Sequence, residues 1–252
     1  METLFIGTNV IFLPEVDSTN SYAINLLKNV NLPEGTIVHT NNQTSGRGQR
    51  GNVWNTLPGS NLTVSLILKP SFLSIKNQFV LYQIAALACY DVMAEMLDSS
   101  QFDIKIKWPN DIMIDNKKIA GILIENVVMN NTISYSVVGI GINIKQGEFD
   151  LKINATSLEL LNHKNYEVQS ILKKLCYYFE KYYLLLKNNK LETINQKYLE
   201  HFYGKGEWLK FEINQQLCEM QVKGISNSGL LLLSDKNGKE KEFDIKEAKW
   251  IL

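Results

Sequence analysis

Thr44-Ser-Gly-Arg-Gly-Gln-Arg-Gly-Asn-Val-Trp54 is the stretch on which the reading of this chain turns. It places three glycines, two arginines and a closing tryptophan in eleven residues, with neither a helical nor a strand period. Glycine lets a backbone turn freely and approach a ligand closely, at an entropic cost once the segment is ordered. Arg47 and Arg50 add permanent positive charge suited to carboxylate or phosphate oxygens. The spacing Gly46-x-Gly48-x-x-Gly51 matches the dinucleotide fingerprint literally, but that fingerprint must open a helix. Trp54, Pro58 and Gly59 stand where the helix would run. Nor is this a Walker loop, which ends in Gly-Lys-Ser/Thr. Taken alone, a flexible surface loop with solvated arginines fits the stretch equally well.

Working outward, residues 10–16 read as a short strand, and Asp17-Ser18-Thr19-Asn20 supplies four residues of the helix-capping type. Tyr22, Ala23, Leu26 and Leu27 follow at helical spacing. The hydroxyls therefore belong at a helix N-terminus, which favours an anionic or polar ligand. For a single Ser or Thr, a plain N-cap is the simpler reading. Thr36–Thr40 is a strand leading through Asn41, Asn42 and Gln43 into the glycine stretch, and Asn61–Leu68 is a strand entering the core. Apolar residues at steps of three and four predict a helix over 76–98. Asp103–Trp108 alternates with period two until Pro109 stops it, and Ile112–Glu125 is a hairpin turning at Asp115-Asn116. The next strand, Thr132–Ile144, carries Gly139-Ile-Gly-Ile-Asn143; two glycines two apart bare one face, to which a flat group or a tightly packed neighbour could lie. Helices are expected over 166–188 and 191–202. From 204 onward short strands (208–213, 218–225, 230–234, 241–245) separated by turn signals predict a small β-barrel, marginal in size without a docking partner. The chain thus divides into residues 1–203 and 204–252.

The bulk figures fit this plan. The 252 residues are 45% hydrophobic and 21% charged, as in an ordinary globular protein. Twenty-six basic residues against 26 acidic ones imply no general attraction to nucleic acid. Cys89, Cys176 and Cys218 are odd in number and widely spaced, which points to reduced thiols. The N-terminus lacks a signal-peptide pattern, and no fully apolar run nears the roughly 20 residues of a membrane span. A cytoplasmic, soluble protein is expected.

The glycine stretch gains meaning beside Lys107-Trp-Pro-Asn-Asp111, where a proline just past a strand presents Asn110 and Asp111. Lys118 lies across the hairpin from that corner. Hydroxyls, an amide, guanidiniums, an ammonium and one carboxylate are thereby assembled without a nucleophilic triad. His39, His163 and His201 are scattered, with no metal spacing.

Together these words resemble the biotin–protein ligases: Asp17–Asn20, Gln43, Gly46–Gly51 with Trp54, Lys107–Asp111, Lys118-Ile-Ala-Gly121 and Gly139–Asn143, in the family's order and spacing. The resemblance covers nearly the whole chain, the C-terminal part more weakly. It implies an α+β fold: a catalytic domain akin to class II aminoacyl-tRNA synthetases, followed by an SH3-like barrel. It implies formation of biotinyl-5′-adenylate from biotin and ATP, with Mg²⁺ near the phosphates, then transfer of biotin to a lysine of a biotin carboxyl carrier protein or domain. By resemblance, biotin meets Ser18, Thr19, Asn20, Gln43, Arg47, Gly48, Gln49, Trp54, Lys118 and Gly121. The nucleotide meets Gly46, Arg50, Gly51, Trp54, Asn110, Asp111, Gly141 and Asn143. Arg47 and Lys118 are the catalytic cations, and Asp111 orients Mg²⁺ or the acceptor lysine.

Two departures stand out. Gln49 occupies a position where the family often carries arginine, lowering the charge at the loop tip. The first shared word begins at residue 17, so no winged helix precedes it and no DNA-binding repressor role is expected. A lipoate–protein ligase and a non-catalytic biotin or nucleotide binder are the competing readings; the second would expect Arg47 or Lys118 to be lost. Monomer and homodimer both stay open.

Overall fold

The computed structural model describes residues 2–98, 100–150 and 153–251, and of Arg50 the backbone only. Strand β1 (Val10–Val16) runs into helix α1 (Thr19–Leu27), and β2 (Ile37–Gln43) returns parallel to β1 with Val10 opposite Ile37. Ser18 has extended backbone and accepts from Ser21 N–H at 3.4 Å, so the capping signal acts where the sequence places it. Strand β3 (Asn61–Leu68) is buried along all eight residues. Its Leu62, Val64, Leu66 and Leu68 enter the main core, while Thr63, Ser65 and Ile67 turn toward α1.

The main core is filled by α2 (Phe79–Met96) and α4 (Val168–Lys187), so α1 and α2 cover opposite faces of the sheet. Ile75–Met96, which is α2 with its lead-in, has the length and apolar content of a membrane span, with a mean hydropathy of 1.3. Most of it is buried against the sheet and its neighbouring helices, so core packing accounts for that composition.

Beyond α2 come β4 (Ile104–Lys107), β5 (Asp111–Ile114), β6 (Lys117–Met129) and β7 (Thr132–Asn143). The seven strands are ordered β1-β2-β3-β7-β6-β5-β4. The turns at Asp115-Asn116 and Asn130-Asn131 have positive φ at both residues, the geometry of two-residue hairpins that Asn and Asp tolerate. A register shift opposite Ile112 and Met113 makes Ile119 a bulge in β6. A short helix α3 (Leu158–Asn162) and helix α5 (Leu191–Glu200) complete this part.

The C-terminal residues form a second, antiparallel sheet: β8 (Trp208–Ile213), β9 (Gln216–Ile225), β10 (Leu231–Ser234), β11 (Glu240–Phe243) and β12 (Ala248–Trp250), ordered β11-β10-β9-β8-β12. The α+β class is as expected. Strand β12 and helix α3 were not foreseen, since three and five residues are too few for a period to show. Phe211, Val222, Leu231 and Leu233 belong to the same buried cluster as α2 and α4, so the small sheet shares a core with the large one. All three cysteines are free.

Glu180, on α4 and 5% exposed, accepts from the N–H groups of Leu4, Phe5 and Ile6 at 2.7, 2.8 and 2.9 Å. One buried carboxylate thus fixes the start of the chain. Glu180→Ala should cost about 3 kcal/mol in urea unfolding, because three amides lose a charged acceptor. A loss below about 0.5 kcal/mol, the scale of a surface substitution, would show that other contacts order residues 4–6.

Candidate active site

Where α1 begins, beside β2 and β3, the polar words of the sequence meet. Gln43 Oε1 accepts from Thr19 N–H at 2.9 Å and from its hydroxyl at 3.2 Å. Ser65 Oγ on β3 lies 2.8 Å from Thr19 Oγ1 and 2.6 Å from Asn20 Oδ1. Asn20 Nδ2 donates to Leu123 O at 3.2 Å and to Glu125 Oε2 at 2.9 Å. Thr19 and Asn20 are each 3% exposed, so this network holds its side chains in set orientations before any ligand arrives. Gly139 makes room for it: a Cβ there would lie 2.4 Å from Asn20 Oδ1.

These groups form one end of a cavity of about 530 Å³, within the usual range for small-molecule sites. The glycine stretch forms its rim. Trp54 N–H donates to Gly46 O at 2.9 Å and Gly48 N–H to Asn52 O at 2.7 Å, so the segment is a narrow hairpin with a 3₁₀ turn at Gln49–Gly51. Gly46 is obligatory at the base, since a Cβ would lie 2.2 Å from Trp54 O. The Trp54 indole lies flat on the bared strands: Cβ atoms on Gly141 and Gly121 would be 2.4 and 3.1 Å from it. The flat group received by the glycine face of β7 is therefore the chain's own tryptophan.

Two of the cations that line the cavity rest on carboxylates. Lys118 Nζ is 2.6 Å from Asp111 Oδ1, and Arg47 Nη2 is 2.7 Å from Glu125 Oε2. Strand alternation alone would put Lys118 and Gly121 on opposite faces. The bulge at Ile119 re-aims Lys118, so both line the cavity. Its backbone is pinned by Asn154 O and Thr156 N–H, both at 2.9 Å. A third cation, Lys107, lies beside the wall that β12 supplies, its Nζ 5.8 Å from the Trp250 ring centroid. Burial pushes the Lys107 pKa down; Asp111 opposes this and Lys118 adds to it.

Most candidates named from the sequence converge on this cavity: Ser18, Thr19, Asn20, Gln43, Arg47, Gly48, Gln49, Trp54, Asn110, Asp111, Lys118, Gly121 and Gly141 all line it. Gly46 and Gly51 instead shape the hairpin, Gly51 through its φ of +85°. Asn143 is buried and donates to Thr156 O at 3.0 Å, holding the segment that pins Lys118 rather than lining the cavity. The guanidinium of Arg50 lies outside the described side chains.

Glu125, Ser65, Tyr82 and the β12 wall carry contacts that sequence reasoning did not single out, and Lys107 was named only as part of its five-residue word. For Glu125 a signal existed, since period two from Gly121 through Leu123 puts it on the cavity face. The β12 wall left none. Among the described residues no group of three or more His, Cys, Asp or Glu could cage a metal ion.

Comparison with known proteins agrees with this geometry. The profile described as "Biotin/lipoate A/B protein ligase family" matches residues 12–143. The bifunctional ligase/repressor BirA of Bacillus spizizenii is 30% identical over 247 residues, covering 96% of this chain and 74% of that protein. The biotin–[acetyl-CoA-carboxylase] ligase of Paracoccus denitrificans is 33% identical over 132 residues, covering 52% of this chain and 53% of its own length. The structure of biotin protein ligase from Aquifex aeolicus in complex with biotin and ATP superposes with a TM-score of 0.78, at 27% identity over 96% of this chain and 98% of that one.

The packing of Trp54 yields a test. Gly141→Ala must displace the indole and open the hairpin base, so trypsin should cut at Arg47 about tenfold faster, as for a contact worth about 1.4 kcal/mol. Gly147→Ala, whose Cβ would meet nothing within 4 Å, is the control. Equal cleavage of the two variants would show that the indole does not depend on the bare strand.

Proposed function

The chain belongs to the biotin/lipoate A/B protein ligase family, and from that premise we propose that it is an ATP-dependent biotin–protein ligase. The observation that carries this reading is the joining, in one cavity, of a fixed neutral polar end to an apolar wall and then to paired cations. Biotin has that sequence of parts. Its ureido group offers N–H donors and a carbonyl acceptor to Thr19, Asn20 and Gln43. Its valeryl chain is apolar and fits beside the Trp54 indole, and its carboxylate would then reach Lys118 and Arg47.

In the first step a carboxylate oxygen of biotin attacks the α-phosphorus of ATP, and the bond to the β-phosphate breaks, releasing pyrophosphate. Both reactants are anionic, so the task for the protein is to hold them together and neutralise the charge that develops. Lys118 and Arg47 would leave Asp111 and Glu125 for the incoming anions. Mg²⁺ bound with the nucleotide would shield the phosphates; Asp111 is the carboxylate in the cavity that could take part in holding it, in keeping with an ion carried mainly by phosphate oxygens. In the second step an acceptor lysine amine, from a biotin carboxyl carrier protein or domain, attacks the acyl carbon. A C–N bond forms, AMP leaves, and the amine gives up a proton. Residues 1–203 would carry the catalysis and 204–252 the small sheet that walls the site. Repressor activity forms no part of the proposal, since the balanced charge offers no general attraction to DNA.

Biotin-dependent exchange of pyrophosphate into ATP tests the first step, with lipoate as the alternative acid. Exchange with biotin and not lipoate is expected. Lys118→Ala and Arg47→Ala should each lower it about 10²- to 10³-fold, as for loss of one donor to a developing anion. Their unfolding transitions should stay close to that of the parent. Near-normal exchange in both variants would overturn the assignment of the cations, and exchange driven by lipoate alone would overturn the choice of substrate.

A further inference from the structure

The edge of β6 is closed in an unusual order. Strand β5 pairs with it only as far as Asp111 opposite Gly121. Asn110 takes the next position, giving its carbonyl to Ile122 N–H at 3.0 Å and its side-chain amide to Ile122 O at 2.9 Å. At Ile124 no strand remains, and the hydroxyl of Tyr82, on α2, fills the gap. Ile124 N–H donates to Tyr82 Oη at 3.3 Å, and the hydroxyl donates to Ile124 O at 3.4 Å. A phenol has one proton and two lone pairs. Its second lone pair is used by Gln49 Nε2, which donates to Tyr82 Oη at 3.1 Å from the tip of the glycine hairpin.

This contact differs in kind from the others that hold the hairpin. Trp54 anchors the base, and Arg47 anchors one flank to Glu125, a pair that substrate anions are expected to draw apart. Gln49–Tyr82 is at the tip and is neutral; Gln49 also lines the cavity, whereas Tyr82 does not. Tyr82 itself is braced: its ring stacks on Phe79 at 5.8 Å, and Phe79 packs under Gly229 in the turn between β9 and β10, where a Cβ would lie 2.2 Å from it. Burial pushes the Tyr82 pKa up, so its proton stays in place. We propose that Tyr82 is a positioning residue for the reaction: through Gln49 its hydroxyl holds the hairpin tip down over the site, and so sets how long the adenylate is retained. The proposal rests on the ligase reading of the cavity.

A double-mutant cycle tests it, using the full chain with Tyr82→Phe, Gln49→Ala and both together. Biotinyl-adenylate is formed on the enzyme and chased with excess unlabelled biotin and ATP. Tyr82→Phe should release it about three- to tenfold faster, the range of a neutral hydrogen bond. Gln49→Ala should do much the same, and the double variant no more than the faster single. The single-turnover rate of adenylation by Tyr82→Phe at saturating substrates should stay within about twofold of the parent, as for a group that makes no contact in the transition state. A role limited to capping Ile124 would leave Gln49→Ala unchanged or make the two effects multiply, and either result overturns the proposal, as does parental release by Tyr82→Phe. Deuterium exchange of amides 46–54 in the substrate-free protein reads the tether without the chemistry. An equal rise in all three variants supports the tether even if no adenylate forms, in which case the ligase reading alone would fall. No rise in either single variant overturns the tether.

Discussion

The site depends on two absent side chains. Gly141 and Gly121, on adjacent strands and paired in register, leave a flat patch on which the Trp54 indole lies. Close packing of this kind tolerates almost no added volume, because interiors have few voids into which a neighbour can move. The indole is also the last residue of the hairpin that rims the cavity. A contact between a ring and a bare backbone therefore sets the base from which Arg47 reaches Glu125 and Gln49 reaches Tyr82. The remaining pieces (the α1 network, the bulged Lys118, the Asn110 corner) are arranged around that wall.

The second sheet belongs to the same arrangement. Trp108 Nε1 donates to Gly229 O at 2.8 Å, and the turn that carries Gly229 also covers Phe79. The Lys107–Asp111 corner is thus held from both sides, by β4 and β5 within the large sheet and by a turn of the small one. The shared hydrophobic core explains how about fifty residues with a modest interior can be ordered at all.

The elements were largely legible because their signals are local. Period two over 103–108, helical spacing over 166–188 and capping residues at 17–20 each depend on neighbours in sequence. The convergence of Ser18 to Asn20, Gln43, Arg47 and Lys118 was legible as a set of words rather than as geometry. What stayed hidden depends on long-range partners. Nothing around Ile119 announces a bulge, yet that bulge turns Lys118 inward. Asn143 shares a face with Gly139 and Gly141, and the resemblance implied a place at the nucleotide. In the fold it lies past the cavity and fixes Thr156. Tyr82 reads as one more core aromatic of α2, because the free edge at Ile124 and the glutamine above it come from 42 residues later and 33 earlier.

The resting ion pairs have a consequence for what the cavity can admit. Lys118 is matched to Asp111, and Arg47 to a glutamate that also holds Asn20. A neutral molecule of biotin's shape would find both cations engaged and would gain nothing by separating them, since each separation strands a partly buried carboxylate. An anion can replace the carboxylate in each pair, and Glu125 would still keep its bond from Asn20. On the ligase reading the site would favour a charged ligand by exchange of partners, since an uncharged look-alike leaves both pairs as they are. Asn20 touches both the polar end and Glu125, so a single amide joins the neutral end of the cavity to its charged one.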